Sequence, residues 1–139
     1  MQCHWIELED VLETHEEQLR EFGGPSGILD EGSLQSALAN PKWILHFSSP
    51  DTPPTLARLA ASYIVSLARN HGFADGNKRT AWVIGNMFLS INGAALRVET
   101  EDAINTVLGV AAGEISEEQL EEWISRRLIV ATDFGFYQL

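Results

Sequence analysis

One cysteine, nine basic residues against twenty acidic ones, and no long apolar run: what this 139-residue chain lacks narrows what it can do. Cys3, being alone, permits neither an internal disulfide nor a zinc cluster built from thiolates, and it fits a reducing cytoplasm. The shortage of Lys and Arg leaves a formal net charge of -11, which disfavours a dedicated nucleic-acid binder because neutralising phosphates takes a basic face. Any phosphate site must then be built locally, from a few cations, backbone N–H groups or a metal ion. No stretch approaches the apolar length that spans a bilayer. The opening "MQCHWIELEDVLETHEEQ" turns acidic at once, without a basic region or an apolar run, and reads as no signal peptide. Internal repeats and low-complexity tracts are absent too. What remains is an ordinary globular composition, 45% apolar and 21% charged, which argues against general disorder. The expectation is one soluble cytoplasmic domain over residues 1–139, large enough to bury a core.

The apolar spacing is helical almost throughout. Leu8, Val11, Leu12, Leu19 and Phe22 mark a first amphipathic helix, which "GGPSG", Gly23 to Gly27, stops. In "ILDEGSLQSALANP" Ser33 is positioned to cap a short helix running to Ala39, and Pro41 is expected to prevent its continuing. "KWILHFSSPDTPPT" is the least regular part, with a short strand or hairpin arm in its first residues and prolines excluding helix until Thr55. "LARLAASYIVSLARN" is apolar on most sides, as a central buried helix is. "KRTAWVIGNMFLSING" gives a second such helix, closed by Asn92-Gly93. Two further helices follow, the last opened by a Ser116–Gln119 capping box. The tail, Leu128 to Leu139, has no clear period and stays unassigned. The fold class expected is all-α, a helical bundle with an irregular insertion before its central helix.

Between the two most apolar helices stands "RNHGFADGNKRTAW", Arg69 to Trp82, where polar residues of special chemistry crowd a joint. Gly76 lets the backbone turn with positive φ, and Asn77 stands where an N-cap belongs. The N–H groups of a helix start and its dipole favour an anion. Lys78 and Arg79 oppose that dipole at a few tenths of a kcal/mol each, a cost understandable if an anion sits there. Asp75 offers the single carboxylate that, with nucleotide phosphates, holds Mg²⁺. His71 is a candidate general base for a hydroxyl nucleophile. The set suits transfer of a phosphorus-containing group from a Mg-nucleotide to a hydroxyl. Each residue also has a structural reading: a hydrogen-bonded helix-end histidine, an Asp-Gly-Asn turn, a solvated cation pair. His4, His15 and His46 read as surface or core residues, and Trp43, Trp82 and Trp123 as core.

"HGFADGNKRTA" closely resembles the signature of the Fic/Doc family, H-x-F-x-[D/E]-G-N-[G/K]-R, and most of all its death-on-curing (Doc) branch, where Lys replaces a Gly. "GGPSGILDEGSLQSALANP", "FLSING" and "AAGEISEEQLEEWI" resemble that branch as well, so the likeness covers most of Leu8 to Arg127. It implies a helical Fic fold with a short flap in about residues 43–54. It implies that His71 deprotonates the target hydroxyl, that Asp75 holds the nucleotide's Mg²⁺, and that Gly76, Asn77, Lys78 and Arg79 form the anion hole, with Phe73 pinning the loop. The AMP-transferring members carry a second Arg where this chain has Trp82. In the Doc branch, Lys at the position of Lys78 goes with an inverted ATP pose. The γ-phosphate then passes to a protein, by resemblance elongation factor Tu, and translation stops. An inhibitory [S/T]-x-x-x-E-[G/N] helix finds no match, so restraint falls to an antitoxin of the Phd type in trans. The reading is a kinase toxin using ATP and Mg²⁺. The alternatives are AMP transfer and a non-catalytic toxin-like binding module.

Overall fold

The computed structural model of the chain describes residues 3–132 and 135–138. Among them are six helices, α1 (Leu8–Phe22), α2 (Glu31–His46), α3 (Leu56–Arg69), α4 (Asn77–Ile91), α5 (Thr100–Ala111) and α6 (Glu117–Arg127), and three strands, β1 (Ala94–Leu96), β2 (Leu128–Thr132) and β3 (Gly135–Gln138). The fold is mostly helical, as the spacing predicts.

α3 is the axis of the molecule. Thr55 caps it through the Arg58 N–H at 3.1 Å, and every residue from Leu59 to Ala68 is buried. That demands neighbours on all sides, and α2, α4, α5 and α6 supply them. α4 lies closest: a Cβ at Gly85 would stand 2.4 Å from Ile64 Cγ1, so only glycine allows this approach. Tyr63, Phe88, Leu59 and Ile84 fill the centre, each fully burying a side chain worth about 1.5–3 kcal/mol. The Tyr63 hydroxyl accepts the Ile6 N–H at 3.2 Å, tying the N-terminal segment to the core. Burial pushes its pKa up to about 12.

The short helix expected to end at Ala39 is longer. Asp30, not Ser33, is its N-cap, accepting from the Ser33 N–H at 3.1 Å, and α2 runs through Pro41 to His46. Interior proline costs about 3 kcal/mol. Here it is offset by Leu34, Ala37, Leu38 and Pro41 itself, all buried, and by the Asn40 amide donating to Ser66 Oγ at 3.2 Å on α3. Trp43 to His46 are therefore helical rather than a hairpin arm, and no strand occurs in residues 43–54. The irregular joint is confined to residues 47–55. Trp43, expected in the core, is 55% exposed and stacks on Phe47.

The tail supplies a small sheet. β2 pairs antiparallel with β1, Ala95 opposite Ile129, and with β3, Val130 opposite Tyr137. Residues 133, 134 and 139 of the unassigned tail lie outside the described residues. Asn92 and Gly93 close α4 as expected, and the Ser116–Gln119 capping box opens α6.

Candidate active site

The loop from α3 to α4 is held by main-chain pairing to the segment between α1 and α2. α3 ends at Arg69, and His71 follows in the left-handed region, φ +47, the only non-glycine among the described residues to do so. This costs on the order of 1–2 kcal/mol, and such strain concentrates at functional sites. Gly72 to Ala74 then run antiparallel to the link between α1 and α2. The Gly72 carbonyl accepts from the Leu29 and Asp30 N–H groups at 2.8 and 3.1 Å, and the Ala74 N–H donates to the Gly27 carbonyl at 3.1 Å. Ile28 and Phe73 form the bridge between them. Ser33 Oγ adds a bond to the Asn70 carbonyl at 3.1 Å. The "GGPSGILDEGS" segment is therefore the cradle of the motif loop.

Phe73 is buried, as its apolar type among polar neighbours suggests. Asn77 does not act as the N-cap. Its side-chain oxygen accepts the Phe73 N–H at 3.0 Å, and its amide donates to the Phe73 carbonyl at 2.9 Å, so it locks the loop. The cap position belongs to Gly76, left-handed at φ +80, with its carbonyl taking the Thr80 N–H at 3.0 Å. A side-chain amide that satisfies both main-chain groups of one residue is not free to cap a helix. By helix geometry, the N–H groups of Asn77, Lys78 and Arg79 have no carbonyl partner within α4.

The start of α4 lines a cavity of about 1210 Å³, somewhat larger than the usual small-molecule site. His71, Asp75, Gly76, Asn77, Lys78 and Arg79 all line it, so every site residue expected from the motif converges there. Trp82 lines it as well, half-buried and edge-on to Trp123 at 6.1 Å. α5 forms the facing wall with Ala103, Ile104, Val107 and Leu108, and Phe22 stands at the rim. The Arg79 guanidinium lies 4.9 Å over the Phe22 ring. Its Nε is buried without a hydrogen-bond partner among the described residues. A buried guanidinium N–H in that condition suits an anionic ligand.

The Asp75 carboxylate rests against Gly24: a Cβ there would stand 2.3 Å from Oδ2. Among the described residues no set of three or more His, Cys, Asp or Glu side chains could hold a metal ion. A divalent cation at Asp75 would therefore draw its other ligands from phosphate oxygens and water, which is the way Mg²⁺ is commonly held with nucleotides.

Motif reading missed the contribution of α1. His15, Phe22 and, just beyond, Gly24 reach the loop, and only the polar His15 at an apolar register, four residues from both Val11 and Leu19, signalled it. His15 is buried and bonds the Asp75 carbonyl.

Residues 5–89 match the sequence profile of the Fic/DOC family. The chain is 39% identical over 108 residues to "Toxin Doc" of Mycolicibacterium smegmatis, covering 74% of this chain and 79% of that protein. It is 27% identical over 121 residues to "Protein kinase doc" of Escherichia phage P1, covering 87% and 93%. With the match running from α1 through the motif loop and most of α4, the chain belongs to the Fic/DOC family.

Proposed function

We propose that this chain is a Doc-type toxin, a protein kinase that transfers the γ-phosphate of ATP to a hydroxyl of a target protein. The observation that carries the reading is the convergence of His71, Asp75 and the left-handed Gly76 turn, with Lys78 and Arg79 behind it, on one cavity. The names of the two relatives, a toxin and a protein kinase, support it.

In this mechanism the N–H groups at the start of α4 and the Arg79 guanidinium bind the phosphate oxygens. They neutralise charge where it develops as the terminal phosphorus moves. Arg79 is pre-aimed by Phe22, so little freedom is lost on binding. His71 accepts the proton of the attacking hydroxyl. That oxygen bonds to the γ-phosphorus, the bond to the bridging oxygen breaks, and ADP leaves with the electron pair. Asp75 would hold Mg²⁺ together with the phosphates, and the ion would supply further charge neutralisation. Trp82 replaces a phosphate-binding arginine of the AMP-transfer pattern, and Lys78 adds a charged side chain where that pattern has glycine. Both favour γ- over α-phosphate transfer. Elongation factor Tu as target, a Phd-type antitoxin in trans and a cytoplasmic place of action complete the proposal.

The test is labelling of a cell extract with Mg²⁺ and either γ-labelled or α-labelled ATP. A protein band from the γ-label alone is expected, reduced at least about a hundredfold in His71→Ala, with helical circular dichroism and nucleotide binding retained. An α-labelled band would make the chain an AMP-transferase. Binding without turnover, indifferent to His71→Ala, would make it a binding module.

A further inference from the structure

His15 sits on α1, more than fifty residues from the motif, and nothing in the motif calls for it. Yet it touches three loop residues. Its Nε2 lies 2.7 Å from the Asp75 carbonyl oxygen. Its ring is stacked on Phe73, centroids 3.6 Å apart and planes 6° from parallel. A Cβ at Gly76 would stand 3.4 Å from His15 Cδ2, so the imidazole fills the space between Phe73 and Gly76. A carbonyl oxygen can only accept, so Nε2 carries the proton of this bond.

The peptide plane makes this contact consequential. In a trans peptide the C=O and the following N–H point in opposite directions. Holding the Asp75 carbonyl toward α1 therefore turns the Gly76 N–H away from α1. The plane most in need of such a hold is this one, because glycine on its far side lets it flip at small steric cost. A flip would aim a carbonyl where an amide is wanted and would shift the Asp75 backbone under its carboxylate. We propose that His15 is the positioning residue of the anion turn: its Nε2–H pins the Asp75–Gly76 peptide in the orientation that binds phosphate. The inference rests on the function proposed above for what the turn binds, but not for the pinning itself.

The experiment uses the full chain and two variants that keep a planar or polar group in place. His15→Phe keeps a ring to stack on Phe73 and deletes the donor; His15→Gln restores a donor without the ring. The backbone couplings that report φ at Gly76 and the Mg-ATP affinity are measured on each, with kcat and KM where turnover is seen. His15→Phe should remain folded by circular dichroism, show Gly76 couplings averaged away from those of the single left-handed φ of +80, and bind Mg-ATP roughly tenfold more weakly, with kcat falling too. His15→Gln should recover most of both. Val11→Ala, buried on the same helix, is the control for packing alone. Unchanged Gly76 couplings in His15→Phe, or losses equal to those of Val11→Ala, would reduce His15 to core filler and overturn the proposal. A wild-type chain that bound no Mg-ATP would instead sink the proposed function, and the Gly76 couplings would still decide about His15.

Discussion

Gly24 leaves no room for a side chain beside the Asp75 carboxylate, and it stands at φ +115, a conformation L side chains rarely adopt. Both facts tie this glycine to the Asp75 carboxylate. In Gly24→Ala the new methyl would fall 2.3 Å from Oδ2, and a charged oxygen near the cavity gives way before the backbone does. The expected result is a chain that folds with a modest loss of stability, about 1–2 kcal/mol for the left-handed alanine. Its Mg-ATP affinity should fall by roughly tenfold, the worth of about one charge-assisted hydrogen bond. Titration calorimetry with and without Mg²⁺ checks it, and affinity equal to wild type in both conditions would remove Asp75 from the metal's ligands. Asn77 is comparable in kind: its amide closes the loop on Phe73, a structural task carried by a residue that the pattern offers as a cap.

At the scale of elements, the sequence was most legible where period and punctuation agreed. α1, α3, α4 and α6 stand where apolar spacing and end signals place them, and the convergence of the six motif residues followed from the loop's place between two buried helices. α2 was misread because its evident stop, Pro41, is overruled by tertiary packing. A local rule cannot see that the proline ring is buried against other helices. The strands of the tail were hidden for the complementary reason: β2 is paired by β1, more than thirty residues earlier, and a two-residue period is too short to show in five residues. Helix ends also carry long-range ties that no pattern marks. Arg69, the last residue of α3, donates from Nε to the Val110 carbonyl at 2.8 Å and from Nη2 to the Ile115 carbonyl at 2.6 Å, so the end of α3 that bears the motif loop is strapped to the joint between α5 and α6. The share of α1 in the site belongs to the same class.

For the whole molecule, Tyr63 is a buried group whose ionisation bears on the fold. Its ordinary pKa of 10.0 is raised to about 12 by burial first, with Glu7 and other nearby negative groups adding to it. The unfolded chain therefore loses this proton at lower pH than the native one. The stability it carries is complete below about pH 10 and declines as pH rises toward 12, at up to about 1.4 kcal/mol per pH unit. Denaturant unfolding of wild type and Tyr63→Phe between pH 9 and 12 should show the extra slope only in wild type. Equal slopes would place the alkaline sensitivity elsewhere.

α3 is buried over nearly its whole length, and the loop bearing His71 begins one residue after its end. That loop is also bound to the α1–α2 link by three main-chain hydrogen bonds. A segment so attached has no cheap way of opening by itself. Heating should therefore not yield a folded but inactive form: the inactivation curve and the loss of helical signal should share one midpoint, and inactivation several degrees earlier would show a looser site. The protein's working life at a given temperature is then set by the survival of its core.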